Sequence, residues 1–336
     1  KMIVEYIFRP KGAAVSIEKV FESVIKGVIK HSDITITRSW VKSFRLWPIG
    51  IIYNVLYYCI RSYVYKSRIF HITGDVQYVA CLMNSKNTIM TIHDLVPLHN
   101  NKVPWYSRKL CYWLWYYIPL KRLRSITCIS EATKQDLLLF FPWSANKISV
   151  VKNPVDDTFA YSPKDLNLQK PQILHIGTKE NKNLPRVIEA LDGHACHLRI
   201  IGKLNEEQQC QLEKSAVEYS NVWGISDEEI IQEYKDADIV SFPSTFEGFG
   251  MPIIESQAIG RPILTSNIEP MCSVAGDGSI IVNPYDIESI RKGFFAHTKD
   301  ELKTIIEKGR QNAIHYSADN IANKYINLYI NLCTIS

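Results

Sequence analysis

Short apolar runs alternate with longer stretches in which apolar residues recur at helical spacing, and the chain passes through this alternation twice. That pattern specifies an α/β protein with parallel sheets, because successive parallel strands need a crossover that a helix supplies. In the first half it predicts strands over residues 2–8, 34–37, 88–92, 125–129 and 148–151, and a helix over 16–30. Another helix runs from Ser130 to Phe140, with the Ser130 hydroxyl placed to accept an unpaired first-turn amide. In the second half the strands fall at 172–176, 197–201, 221–223, 239–242, 263–266 and 280–282, and the helices at 183–191, 206–219, 227–234 and 252–259. Residues 156–170, polar and interrupted by Pro163, have linker composition. The expected organisation is a Rossmann-like domain over 1–155, rejoined by a C-terminal helix over 319–336, and a second such domain over 171–318. Open sheets bind ligands beyond the carboxyl ends of their strands, so two domains facing across a cleft would hold one ligand from both sides.

At 336 residues, 46% hydrophobic and 22% charged, the chain is long enough for two domains and is neither disordered nor fibrous in composition. Its eight cysteines include no CxxC pair and no histidines at zinc spacing, which argues against a disulfide scaffold or structural metal and suits a reducing cytosol. No apolar run reaches the ~20 residues of a membrane-spanning helix. Residues 1–10 read as a strand meeting Arg9 and Lys11, not as a signal peptide, so a soluble or peripheral protein is expected.

The net charge of +5 conceals a division. Residues 1–160 hold 22 Lys and Arg against 10 Asp and Glu, a balance of +12, whereas 161–336 hold 17 against 24, a balance of −7. Six of the seven tryptophans also lie in the first half. Fifteen of the 24 aromatic residues there and ten of the 22 basic ones occupy 40–68 and 105–124, which read either as amphipathic helices for an anionic membrane interface or as an aromatic core with a solvated basic rim. Nucleic acid is a poor fit, because no motif for it is present and the aromatics sit among apolar residues.

The densest local signal is residues 241–262, Ser-Phe-Pro-Ser-Thr-Phe-Glu247-Gly248-Phe249-Gly250-Met251-Pro252-Ile-Ile-Glu255-Ser-Gln-Ala-Ile-Gly-Arg-Pro262. A strand ends, a glycine-rich loop follows, and Pro252 stands where the first residue of a helix is expected. Glu247 then lies in the loop and Glu255 in the first helical turn, so both can address one ligand at the helix N-terminus. The amides of Phe249, Gly250 and Met251 are positioned to meet an anion, with Gly248 and Gly250 permitting close backbone approach. A plainer reading has the glycines making a turn and Glu255 offsetting the helix dipole.

Two glutamates eight apart around Gly-Phe-Gly, followed by Gly-Arg-Pro, resemble the E-x7-E motif of the retaining GT-B glycosyltransferases of family 4, the group 1 glycosyltransferases that include many bacterial lipopolysaccharide and capsule enzymes. The family's other landmarks follow in order: His71-Ile-Thr-Gly74-Asp75, Thr91-Ile-His93-Asp94-Leu, Ile129-Ser130-Glu131, Val151-Lys-Asn153-Pro, and Ile176-Gly177-Thr178 through Lys182-Asn183-Leu184. The resemblance implies a nucleotide diphosphate sugar as donor. Lys182 matches the diphosphate lysine, Gly177 and Thr178 the loop approaching the phosphates, Glu247 the glutamate near the donor sugar, and Glu255 the one receiving the ribose hydroxyls. The wall for the base corresponds to Asn221 through Ile225. His93 matches the histidine that reaches across the cleft to the donor sugar, and Gly12 and Asp94 fall on the acceptor side.

The same resemblance implies no cofactor and no metal. Asp236-Ala-Asp238 has the form of a metal-binding Asp-x-Asp, but it precedes a strand instead of ending one and is read as structural. The acceptor implied is a glycan or a polyprenyl-diphosphate-linked glycan, handled in the cytoplasm or at the cytoplasmic face of the anionic inner membrane. Retention admits either a covalent double displacement or front-face attack. Departures from the family pattern are the stretch Lys179-Glu-Asn-Lys182, where a common arginine is missing and the second cation is either Lys179 or absent, Ser273 at a usual carboxylate, and Ala13-Ala14 after Gly12 in place of a second glycine. A GT-B epimerase and a non-catalytic sugar-nucleotide binder remain compatible with the same motifs.

Overall fold

The computed structural model describes residues 2–13, 15–99 and 103–334 and divides into two units, Lys1–Pro154 with Ala318–Ser336, and Val155–Ser317. Each unit is built on a six-stranded parallel sheet.

In the first unit the strands are β1 (Ile3–Phe8), β2 (Thr35–Trp40), β3 (Arg68–Ile72), β4 (Thr88–Ile92), β5 (Ser125–Cys128) and β6 (Ile148–Val150), in the order β2-β1-β3-β4-β5-β6. Alternate side chains point to opposite faces. Ile7, Phe70, Ile72, Met90, Ile92 and Ile126 feed one core, while Val4, Tyr6, Phe8, Ile69 and Ile89 feed another. The second core is closed by the Val15–His31 helix and by the Ala318–Thr334 helix, which supplies Ile321, Tyr325 and Tyr329. Gly27 makes this pairing possible, since a Cβ there would stand 2.7 Å from Cβ of Ala322.

The second unit contains β7 (Gln172–Ile176), β8 (His197–Ile201), β9 (Glu218–Val222), β10 (Ile239–Phe242), β11 (Ile263–Ser266) and β12 (Ile280–Val282), ordered β12-β11-β10-β7-β8-β9. Both sheets are doubly wound α/β layers, the Rossmann-like architecture the alternation specifies.

Several expectations need correction. β3 was not anticipated as a strand. The helix expected over 206–219 is Glu206–Lys214, closed by Ser215, and residues from Glu218 pair in parallel with β8 as an edge strand. The linker-like residues 156–170 are bound along the second unit: Ser162 N–H donates to Ile259 O, Asn167 N–H to the Asp238 carboxylate, and Leu166 is buried in the core. Ser273 belongs to a short helix, Met271–Ala275. Ala14, Ile335 and Ser336 lie outside the described residues. All eight cysteines are free thiols.

Candidate functional site

In the second sheet β7 and β10 are neighbours, and the connections leaving them pass to opposite sides. This switch in strand order opens a crevice at their carboxyl ends, where doubly wound sheets hold ligands. The two loops that enter it are those after β7 and β10.

The loop after β7 begins at Gly177, which takes the left-handed φ of +90°; a Cβ there would lie 2.9 Å from Cγ of Lys182. The bare backbone thus leaves the path along which the Lys182 stem runs. Thr178 fixes the loop, its hydroxyl donating to Lys203 O at 2.7 Å and its carbonyl accepting from Gln208 Nε2 at 2.8 Å. Lys179 is exposed. Asn183 adopts φ +65° at the start of the Leu184–Leu191 helix, and its amide donates to Pro243 O and Pro284 O.

The loop after β10 is sewn to the first by Thr245 N–H to Asn181 O at 2.8 Å and Asn181 Nδ2 to Phe246 O at 2.8 Å. Three side chains converge there. Lys182 Nζ lies 2.6 Å from Glu247 Oε1, Asn181 Nδ2 donates to the same oxygen at 3.1 Å, and the ammonium sits 4.6 Å from the Phe242 ring centroid. The Lys182 and Glu247 side chains are 18% and 15% exposed, shielded enough for the charges to act strongly yet open to a ligand. His175, wholly buried, bonds Ser241 Oγ through Nδ1 at 3.0 Å. Burial, reinforced by the charge of Lys182, lowers its pKa to about 3, so the ring is neutral.

Gly250 caps the Met251–Ile259 helix with φ +103°. The amides of Phe249, Gly250 and Met251 donate to no backbone acceptor among the described residues, so the helix start offers donors to an anion. The Phe249 ring is buried edge-on to Tyr316, which fixes the loop behind those amides. Because Met251 is the first helical residue, Pro252 is the second, and Glu255 lies beyond the first turn, contrary to expectation. Its carboxylate cannot serve chiefly to offset the helix dipole. It accepts instead from the buried Tyr234 hydroxyl at 2.6 Å, a contact that, after burial, raises the tyrosine pKa further. Ile225 is half-buried, just before the Ser226 cap of the Asp227–Asp236 helix, and Asn221 ties β9 to β8 through Ile200 O and Gly202 O. Asp238 is buried and used up by the amides of Asn167 and Gln172 and by Lys164.

In the first sheet the switch falls between β1 and β3. His93 follows β4, is buried, and has Nε2 2.7 Å from Thr73 O. A carbonyl only accepts, so Nε2 carries the hydrogen and Nδ1 is the ring's acceptor. Burial lowers the His93 pKa, which keeps it neutral.

A model described as glycosyl transferases group 1 matches residues 158–316, and one described as glycosyltransferase family 4 matches residues 35–159, so the two together span most of the chain. The chain belongs to the family 4, group 1 glycosyltransferases. The O-antigen chain mannosyltransferase B of Escherichia coli is 25% identical over 235 residues, 62% of this glycosyltransferase and 61% of that protein. The chain spans less than two thirds of the length of this and other curated relatives it matches. Among solved structures, a glycosyltransferase of Rickettsia africae is 18% identical with a TM-score of 0.75 over the whole of both chains. Alr3699/HepE of Anabaena, in complex with UDP and glucose, is 12% identical with a TM-score of 0.75, covering 98% of this chain and 100% of that one. These neighbours place the glycosyltransferase in the GT-B fold.

On the first unit of this glycosyltransferase, Arg9 after β1 and Asp75 after β3 form an ion pair of 2.5 Å across the switch point. Asp75 holds a left-handed φ of +58°, and its carbonyl accepts from Trp115 Nε1 at 3.0 Å. Both line a cavity of about 320 Å³ with Lys42, Trp47, Tyr78 and Trp115. Gly12 and Asp94 are not among its walls. Gly12 sits in an exposed turn, and Asp94 accepts from Val96 N–H at 3.0 Å, orienting its own loop; burial raises the carboxyl pKa. His71 is a core residue, bonded to Tyr329 and Thr91. Sequence reasoning missed Asn181, Tyr234 and His175, whose partners lie on other elements.

Proposed function

We propose that this glycosyltransferase moves a hexose-type sugar, with retention, from a nucleotide diphosphate sugar to a glycan or polyprenyl-diphosphate-linked glycan in bacterial surface polysaccharide synthesis, of the lipopolysaccharide or capsule type. The convergence of Lys182 and Asn181 on one oxygen of Glu247 at the switch point carries this reading. As the glycosidic bond breaks, negative charge grows on the leaving β-phosphate; Lys182 and the amides at the Met251–Ile259 helix start stabilise it, with Lys179 as a second cation. Glu247 Oε1 holds Lys182 in position before the donor arrives, and Oε2, which accepts from no donor among the described residues, receives a donor hydroxyl. Glu255, oriented by Tyr234, takes the ribose hydroxyls, and Ile225 borders the base. His93 offers Nδ1 to the donor sugar. The first unit binds the acceptor and the second the donor.

The reaction is metal-independent in this reading, supported by the commitment of Asp238 to backbone amides and Lys164. The work is cytoplasmic, at the membrane face where a lipid-linked acceptor is presented. A thermal-shift screen of nucleotide sugars and free nucleotides tests the donor assignment, since a ligand at 100 times its Kd stabilises by ~2.7 kcal/mol. With the donor so found, Lys182→Ala and Glu247→Ala each reduce acceptor-dependent nucleotide release by at least ~100-fold. Unchanged turnover in both variants refutes the site, and nucleotide release that needs no acceptor refutes transfer.

A further inference from the structure

The Trp47–Val64 helix is apolar on both sides, with Ile51 and Val55 half-buried against the core. Its buried residues are Gly50, Asn54, Tyr58 and Ser62, one per turn, and they are held by polar bonds. Asn54 bonds the backbone of Lys42 on both sides, the Tyr58 hydroxyl reaches Ser39 Oγ, and Ser62 Oγ accepts from Asn84 N–H. The outward stripe is Ile49, Ile52, Leu56, Ile60 and Val64, with Ile52, Ile60 and Val64 about three-fifths exposed at 59%, 62% and 65%. Trp47, Tyr57, Tyr63 and Tyr65 flank it, all exposed. An apolar stripe of this length facing water implies a partner that buries it.

Charge identifies the partner. Residues 34–74 contain six Lys and Arg and no Asp or Glu, and residues 95–130 again contain six and none. These two segments account for the entire excess of positive charge in the first half. Within the first segment Arg38 is paired with Glu22, and Arg61 and Arg68 share Glu5, which leaves Lys42, Arg45 and Lys66 exposed before and after the helix. A second copy of this face would bring like charges together, whereas an anionic bilayer complements them. No helix among the described residues is long and apolar enough to cross a membrane, and this one spans only ~27 Å.

We propose that the Trp47–Val64 helix lies in the plane of an anionic membrane surface, its Ile49–Val64 stripe entering the acyl boundary and Lys42, Arg45 and Lys66 meeting lipid phosphates. Trp47 stacks on Trp115 at 6.2 Å, and both line the cavity at the first switch point, so the docked helix carries one wall of that cavity to the bilayer. The proposal goes beyond the transfer reading and stands without it, because docking needs no catalysis.

The test is flotation of the full chain with vesicles of phosphatidylcholine, alone or with a quarter of the lipid replaced by phosphatidylglycerol. The chain is expected to float with the mixed vesicles only, and Lys182→Ala to float equally well. Replacing all three exposed cations by serine lowers the partition coefficient roughly 100-fold, at about five-fold per charge. The combined substitution Ile52→Asp, Leu56→Asp and Ile60→Asp removes at least as much, with thermal stability held, since these side chains face outward. Absence of wild-type binding to the mixed vesicles overturns the proposal. So does concentration-dependent dimerisation that the aspartate substitutions abolish, which would assign the stripe to a second copy.

Discussion

Acidification will loosen the first unit through His71, and by a calculable amount. The ring is fully buried, with Nδ1 2.6 Å from the Tyr329 hydroxyl and Nε2 2.8 Å from Thr91 Oγ1, and burial, aided by the neighbouring His93, lowers its pKa from 6.5 to about 3. In the unfolded chain the ring takes up a proton as the pH falls through 6.5; in the folded chain it stays neutral until about 3. The unfolded state therefore binds more protons across that window, and stability falls with pH. Between about pH 7 and about pH 5 the loss from this one group is about 2 kcal/mol. His71→Gln removes the titrating ring, so the stability gap between wild type and variant should narrow by that amount over the same range, while groups elsewhere cancel in the comparison. Urea unfolding followed by tryptophan fluorescence suits the measurement, because six of the seven tryptophans report on the first unit. A gap that is the same at both pH values refutes the picture of a neutral, buried imidazole.

Tyr234→Phe, which removes the hydroxyl holding Glu255, should weaken binding of the donor nucleotide about ten-fold by titration calorimetry while leaving the second unit folded. Gly177→Ala forces a side chain into a left-handed backbone beside the Lys182 stem; it should lower the Tm of the second unit by an amount equivalent to about 1 kcal/mol and reduce turnover as Lys182 is displaced. Gly27→Val, placed against Ala318 and Ala322, should cost the first unit about 1–3 kcal/mol in urea unfolding by prising the Ala318–Thr334 helix from its partner.

The strands of the second sheet could be read almost residue for residue, because most are buried on both faces and appear as apolar runs between polar boundaries. The edge strand β9, Glu-Tyr-Ser-Asn-Val, is half polar and carries a weaker signal, so only its end is legible, in the strand expected over 221–223, while Glu218 and Tyr219 read as helix. β3 begins with Arg68 and contains His71, and its strand character comes from pairing with β1 and β4. Lys182, Glu247 and Gly250 were legible because a strand, a glycine-rich loop and a helix follow one another in sequence. Asn181 and Tyr234 were not, since each acts on a residue of a distant element. Residues 40–68 read equally as amphipathic membrane-interface helices or as an aromatic core, because the direction of the Trp47–Val64 face is fixed by the polar partners of Asn54, Tyr58 and Ser62.

The hydroxyls of Tyr6 and Tyr329 meet at 2.9 Å across 323 residues of sequence. For a ribosome releasing the chain from its N-terminus, the unit begun first is completed last. The second unit has all its strands before residues 318–334 emerge, while the first must wait with part of the Val15–His31 helix and of the sheet face beneath it uncovered. A chain stopped after Ser317 would thus be crippled in the unit farthest from the cut.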